Sequence, residues 1–405
     1  MKLKILLKLG LLLLVFSLPY STQAESAWDF EIKALALDAN EGCAIADVNK
    51  DGKPDVIAGR NWYPAPGFIP RPLRTIEDWN GYIESNGDYI YDVNQDGWPD
   101  VIAGSFRPTE VYWYENPKAL GLDLGQMWKK HLLKDTGYTQ NEGTLMHDIT
   151  GDGVPEWITN SWNKNNPLVV WTFGTEEREV VTKVGKMESK KKMNVPSLIG
   201  HVVGDKGNGH GMGFGDVNND GREDITFANG WYERPEGDPL AKAWTYHADW
   251  KNLHASVPML IRDFDGDGKS DIVWGKGHDF GLFMWKGKGV VDGKPTWDEV
   301  VIDKAYSQPH TPHMVDLDAD GVDELVCGKR VYAHNGKDPG GKDNPCLYVY
   351  KWDGATGKFN RFTVDETRVG TGLQIAHGDL NGDGKIDLAV AGKSGTYILF
   401  NQLVK

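Results

Sequence analysis

Seven stretches of nine residues share one pattern, Asp-x-(Asn/Asp)-x-Asp-Gly-x-x-(Asp/Glu), with Thr150 at the third position in one of them. Their oxygen-bearing positions are Asp47, Asn49, Asp51 and Asp55; Asp92, Asn94, Asp96 and Asp100; Asp148, Asp152 and Glu156; Asp216, Asn218, Asp220 and Asp224; Asp263, Asp265, Asp267 and Asp271; Asp316, Asp318, Asp320 and Glu324; and Asp379, Asn381, Asp383 and Asp387. Oxygens at positions 1, 3, 5 and 9 can converge on a hard cation when a glycine at position 6 permits the sharp turn, and the carbonyl of position 7 can add another. The chemistry is that of a shortened EF-hand loop, and Ca²⁺ is the ion expected. An EF-hand proper would need a glutamate at position 12 and helices on both sides. Carboxylates packed this closely repel one another without cations, so the loops are read as structural, and chelation should loosen the fold. The copy with Thr150 and Glu156 should bind most weakly.

A second constellation lies six residues ahead of each first Asp: Glu41, Asn86, Glu142, His210, Val257, His310 and Leu373. Glycine follows at once in the first four. Glu41, Glu142, His210 and His310 in one register suggest a ring of titratable groups; a single such histidine would more simply cap a strand end. His313, in the run His310-Thr-Pro-His, would point away from His310 on a regular strand, so its participation needs an irregular strand entry.

The elements that must position these residues are strands. Apolar runs flank the loops, CAIADV before the first and VIAG after it, and no helical periodicity appears. The loops start 45, 56, 68, 47, 53 and 63 residues apart, a fixed core with variable connections. A third strand follows each second one (VYWYEN, LFMWKG) and then an aromatic-led fourth. The last repeat stops after its third strand, while WDFEIKALAL from Trp28 stands unassigned at the other end. The predicted architecture is an all-β, seven-bladed propeller over residues 25–405, closed by the N-terminal strand completing the last blade. In such a ring the Asp-rich loops share one face. The first-strand entries and the loops between second and third strands share the other, which would gather Arg60, Trp62, Trp231, Tyr232, Lys276, His278, Lys329 and Lys393 around Asn86 as a substrate-binding surface. Aromatic faces among polar side chains suit a sugar, although tryptophans on strands, such as Trp274 and Trp285, are expected to pack between blades.

The loops resemble the FG-GAP/VCBS calcium repeats of integrin-type propellers over essentially the whole chain after residue 24. EGCAIADVNKDGKPDVIAG, GHGMGFGDVNNDGRED with NGWYERP, and TGLQIAHGDLNGDGKIDLAVAGKSG are more particular, and are similar to the propeller of aldos-2-ulose dehydratases. That resemblance implies elimination of water from a keto-sugar such as anhydrofructose. The isomerase step of the fungal enzymes belongs to cupin domains and is not carried over. The chemistry needs a base for the acidic α-proton, an electrophile for the enolate oxygen and an acid for the departing hydroxyl. Zn²⁺ or another divalent ion on His210, His310 and Glu142 would polarise the carbonyl, with Glu41, His313 or His278 moving the proton. A uronate lyase, in which Arg60, Lys276, Lys329 and Lys393 hold a carboxylate, is a second reading. A carbohydrate- or protein-binding propeller without catalysis is a third. A quinone-dependent redox propeller is disfavoured by the dominance of the calcium loops and the lack of a haem CxxCH.

Bulk properties bound the context. Lys2, Lys4 and Lys8 ahead of the apolar run Leu11–Leu18, with Thr22-Gln23-Ala24 as cleavage site, predict a signal peptide over 1–24 and a periplasmic or secreted protein without a membrane span. The net charge of −14 becomes −17 without those three lysines, the wrong sign for a nucleic-acid partner. Cys327 and Cys346 could pair across one hairpin, leaving Cys43 free. Nothing in the sequence addresses oligomeric state.

Overall fold

The computed structural model describes residues 28–403 apart from 80, 142, 185–186 and 252–253. The signal segment 1–24 and Glu142 therefore lie outside the described residues. Seven four-stranded antiparallel sheets make an all-β, seven-bladed propeller with almost no helix, which among the described residues is one six-residue turn of helix at Lys118–Asp123 and a short 3-10 segment at Ala333–Gly336. The first strands of successive blades are Ala44–Ala46, Gly87–Tyr91, Gly143–His147, Gly213–Gly215, Leu260–Arg262, Pro309–Val315 and Gln374–Gly378, each hydrogen-bonded to the strand that follows its Asp-rich loop. In the seventh sheet the strand Phe30–Ala36 lies outermost, antiparallel to Gly395–Asn401.

Apolar layers between neighbouring blades form the core. Trp62 packs with Trp128 and Tyr114 between the first and second blades, and Tyr89 and Trp113 meet Trp157 and Trp171 between the second and third. Tyr232 packs with Phe227 and Ile158, and Trp231 with Trp274 and Phe283. Tyr63 and Phe68 meet Ile398 and Phe400 across the first and seventh blades. Each layer is filled from both sides by alternate residues of adjacent sheets, as the period of two along a strand requires.

The Asp-rich loops are knotted by their own backbone. In the first, Asp47 accepts the amides of Asp51 at 3.0 Å and Gly52 at 2.9 Å, and Asn49 accepts that of Asp51 at 2.9 Å. The chain turns this tightly because positions 4 and 6 are both left-handed. Position 6 is always glycine, whereas position 4 is Lys50, Gln95, Asn219 or Ala319 in four copies, with φ between 56° and 60°. Position 9 is buried in every blade. Asp100 accepts Val93 N–H at 3.1 Å and Asn116 N–H at 2.8 Å; Asp55, Asp224, Asp271 and Asp387 repeat both bonds. One carboxylate thus pins the end of the first strand and the end of the third to the start of the second. Burial pushes the Asp100 and Asp224 carboxyls up to about 7, and those of Asp55 and Asp387 up to about 6.

All three cysteines are buried free thiols, so Cys327 and Cys346, which could have paired across the hairpin, do not. Register explains it: Cys327 sits opposite Tyr348, two residues past Cys346, and its Sγ turns to the carbonyl of His310 at 3.5 Å.

Asp100→Ala is expected to cost about 2–4 kcal/mol, because two buried amides lose their acceptor. Urea denaturation measures this, and replacing the exposed Lys53 is the control, expected to change stability by less than about 0.5 kcal/mol.

Candidate functional site

First-strand entries and insertions between second and third strands meet at one mouth of the ring, and histidines from three consecutive blades converge there. His210 precedes the strand Gly213–Gly215; His254 and His278 come from the fifth blade; His310 and His334 come from the sixth. His278 Nε2 lies 3.0 Å from His210 Nε2, and its Nδ1 lies 2.8 Å from Asp338 Oδ2. His254 completes a group whose nitrogens all lie within 4.8 Å of one another. The His310 ring centre is 6.0 Å from that of His210 and 6.2 Å from that of His278. The edge of Trp162 closes the group on the side of His210, centroid to centroid 4.8 Å. Gly277 permits the approach of His310: a Cβ there would stand 2.7 Å from the His310 Cε1.

Asp338 organises this arrangement. Its two oxygens meet the Nδ1 atoms of two parallel stacked imidazoles, Oδ2 with His278 and Oδ1 with His334 at 3.1 Å, the ring centroids 4.2 Å apart. Gln308 Nε2 also donates to Asp338 Oδ2 at 3.1 Å. Gln308 Oε1 in turn accepts from Lys329 Nζ at 2.8 Å, and Lys329 further donates to Ser307 Oγ at 2.6 Å and Gly340 O at 2.7 Å. Burial alone would raise the Asp338 carboxyl, but the bonds from His278 and His334 outweigh it and hold it below its usual range. Burial lowers His278 despite Asp338, so the ring is neutral at physiological pH. With Nδ1–H committed to the carboxylate, its Nε2 lone pair faces His210. Burial likewise lowers Lys329.

Beside the histidines opens a cavity of about 590 Å³. Glu41, Arg330 and Lys393 form one wall, Trp79, Ile83 and Phe106 an apolar one, Glu84 and Asn86 another, and His334, Asn335, Lys337 and Asp338 the boundary with the histidine group. Glu41 accepts a two-pronged hydrogen bond from Arg330, at 2.7 and 2.9 Å, with Lys393 Nζ at 3.6 Å. Strained backbone concentrates at this mouth. His254, Gln308, Thr311, Tyr332, His334 and Asn335 all take positive φ, which is rare for residues with a Cβ and most unusual for branched Thr311.

Several expected residues stand elsewhere. Trp62, Trp231 and Tyr232 are buried on third strands and fill the layers between blades instead of reaching the mouth; Trp231 Nε1 donates to Asp249 at 2.9 Å. The strands continue into those WY pairs, which sequence reading took for loops. Arg60 is tied to Asp38 at 3.0 Å, Asp78 at 2.6 Å and Ile76 O. Lys329 is an internal anchor, as above, and Lys276 lies 4.0 Å from Asp279. Glu41 is an ion-paired wall, not a free base. The strand at His310 is irregular, with a register shift between His310 and His313, yet His313 does not join the group. Its Nε2 lies 2.8 Å from His377 Nδ1 on the first strand of the seventh blade. His334, Asp338, Gln308 and Arg330 went unnoticed. For His334, Asp338 and Arg330 the signal was the length of the segment between Lys329 and Leu347, where most blades use a short turn, and its HNGKD stretch; Gln308, just ahead of the strand Pro309–Val315, had none.

An FG-GAP-like repeat family model matches residues 263–327, the fifth and sixth Asp-rich loops with the strands between them. The chain is a β-propeller that carries an FG-GAP-like repeat over that span. Among solved structures, similarity extends to BBS1N, crystallised in complex with ARL6DN, at 9% identity over 94% of this chain and 98% of that one with a TM-score of 0.46. It extends also to Saccharomyces cerevisiae Sqt1 at 11% identity over 93% and 99% with a TM-score of 0.43. No curated protein matches the chain. Among the described residues, no helix is long and apolar enough to cross a membrane.

Burial, reinforced by His377, pushes His313 down to about 3. The unfolded chain protonates this residue below about pH 6.5, while the folded chain resists, so His313 removes stability progressively as pH falls through that window and removes none above it. His313→Gln is therefore expected to lose less stability than the parent between about pH 6.5 and pH 4 and to match its slope above pH 7, read from denaturation midpoints against pH.

Proposed function

We propose that this chain is an exported, carbohydrate-active lyase or dehydratase that eliminates water from a keto-sugar at the mouth of the propeller axis. The observation that carries the reading is the Asp338 carboxylate shared by His278, which faces a histidine group, and His334, which lines a cavity of about 590 Å³, a volume suited to a small ligand.

His210, His254 and His278 fit a divalent transition metal such as Zn²⁺: three imidazole nitrogens within 4.8 Å, one oriented by a carboxylate on its far nitrogen. This set replaces His210, His310 and Glu142. When bound there, such an ion would supply Lewis-acid polarisation of the substrate carbonyl. The chain's own residues account for the proton. His334, half held by Asp338 and half open to the cavity, takes the proton α to the ketone, and Asp338 stabilises the imidazolium that results. The same imidazolium returns the proton to the departing hydroxyl, so one water leaves and His334 is neutral again. Trp79 and Phe106 offer apolar surface to a sugar ring, with Asn86 beside its hydroxyls, while Glu84 is held by Arg107 at 3.0 and 2.9 Å.

The uronate-lyase alternative has less support, because three of the four cations it needs, Arg60, Lys329 and Lys393, are already committed to partners within the fold. A non-catalytic carbohydrate-binding propeller would use the same cavity and would bind without turnover. In the Asp-rich loops we read Ca²⁺ as the structural ion. The fifth offers Asp263, Asp265 and Asp271 with oxygens within 4.8 Å of one another.

Elemental analysis of protein purified without a metal-affinity tag is expected to find about one transition-metal ion per chain, lost in His278→Ala, with affinity about 10–100-fold weaker in Asp338→Asn. Enone absorbance from a keto-sugar should fall about 10²–10⁴-fold in kcat for His334→Gln while the metal remains. Unchanged turnover in both His210→Ala and His334→Gln would sink the assignment, and tight sugar binding without enone formation would favour the binding module. Chelation is expected to lower the melting temperature of every variant alike.

A further inference from the structure

The sixth Asp-rich loop differs from the others in what its carboxylates already hold. Tyr350 pairs with Leu325, which brings Lys351 beside Glu324 at the base of the loop. The Lys351 ammonium contacts Asp318, lies 2.8 Å from Asp320 Oδ2 and stands 3.2 Å from Glu324 Oε1. These are positions 3, 5 and 9, three of the four side chains that would ligate a divalent ion.

Register makes this specific to the blade. The residues at the same place in the other blades are Pro64, Glu115, Thr172, Glu233, Lys286 and Phe400. Five of them bring no positive charge, and two of those are acidic. Lys286 reaches Asp265 but none of the other carboxylates of the fifth loop. Position 9 differs too. Asp271 gives its second oxygen to the amide of Gly287, whereas Glu324 accepts Leu317 N–H at 2.9 Å with Oε2 and presents Oε1 to Lys351. The longer side chain moves one oxygen from the backbone to the ammonium. A divalent ion among the same oxygens would sit within a few ångströms of that ammonium, and two cations this close repel, the more so beside the buried Glu324.

We propose that the sixth loop carries its own cation: Lys351 takes the place of the divalent ion, and a saturated chain binds no Ca²⁺ there. The sixth blade also carries His310 and the segment with His334 and Asp338, so this sector keeps its shape when calcium is scarce. The inference concerns the repeats and does not rest on the enzymatic reading.

Calcium per chain, measured by elemental analysis after equilibrium dialysis against millimolar free Ca²⁺, tests it. Asp320→Asn is expected to bind as many ions as the parent, and Lys351→Met is expected to bind one more. Loss of an ion in Asp320→Asn, or no gain in Lys351→Met, overturns the proposal. Should Lys351→Met fail to fold, Asp320→Asn decides the matter in a chain that retains the lysine.

Discussion

A buried carboxylate at the ninth position of each Asp-rich loop is the constraint on which the rest of the propeller depends. A blade needs its first, second and third strands in fixed register, yet the first strands are as short as three residues and few ladder bonds hold them. In five blades one Asp accepts an amide from the end of the first strand and another from the end of the third. A charged group so placed is costly without its donors, and with them it tolerates little displacement. The upward shift of these carboxyls measures that cost. It is also why a cation in the loop, whether a metal ion or the Lys351 ammonium, would act on the strands and not merely on the loop.

Clamped strands on one face of the ring leave the opposite face to longer, irregular segments. There the first-strand entries bring His210 of the fourth blade within 6.0 Å, ring centre to ring centre, of His310 of the sixth, and the insertions between second and third strands add His278, His334 and Asp338. The insertion after Lys329 is itself built on a buried cation, since Lys329 fixes Gly340 and Gln308 and, through Gln308, Asp338. The positive φ values at Gln308, Thr311, Tyr332, His334 and Asn335 are the conformational cost of that placement. Backbone strain of this kind persists only where surrounding bonds over-determine it.

How far the sequence could be read differs between the two faces. The Asp-rich loops were legible residue by residue, because each is local: nine consecutive residues, a glycine at the turn and apolar strands on either side. The mouth was legible only in part. His210 and His310 stood out because they share a register with the loops, whereas His334 and Asp338 sit in an insertion with no counterpart to align. Trp62, Trp231 and Tyr232 looked like a sugar platform because a Trp-Tyr pair after a glycine or asparagine resembles a loop; in fact a tight turn returns the chain to the sheet at once, and Trp62 and Trp231 face the next blade while Tyr232 faces the preceding one. His313 was doubtful on strand alternation alone, and the bulge that could have rescued it turns it toward His377 instead.

Sequence alone determined the architecture, because a repeated local pattern with a period of two in its strands admits few ways to bury its apolar faces, and seven copies close a ring. It also determined where the oxygens of the Asp-rich loops lie. Tertiary structure alone decided which titratable groups meet. Contacts such as His278 with His210, 68 residues apart, or Arg330 with Glu41, 289 residues apart, are set by the angle between blades and the path of an irregular insertion. No local spacing records either of these.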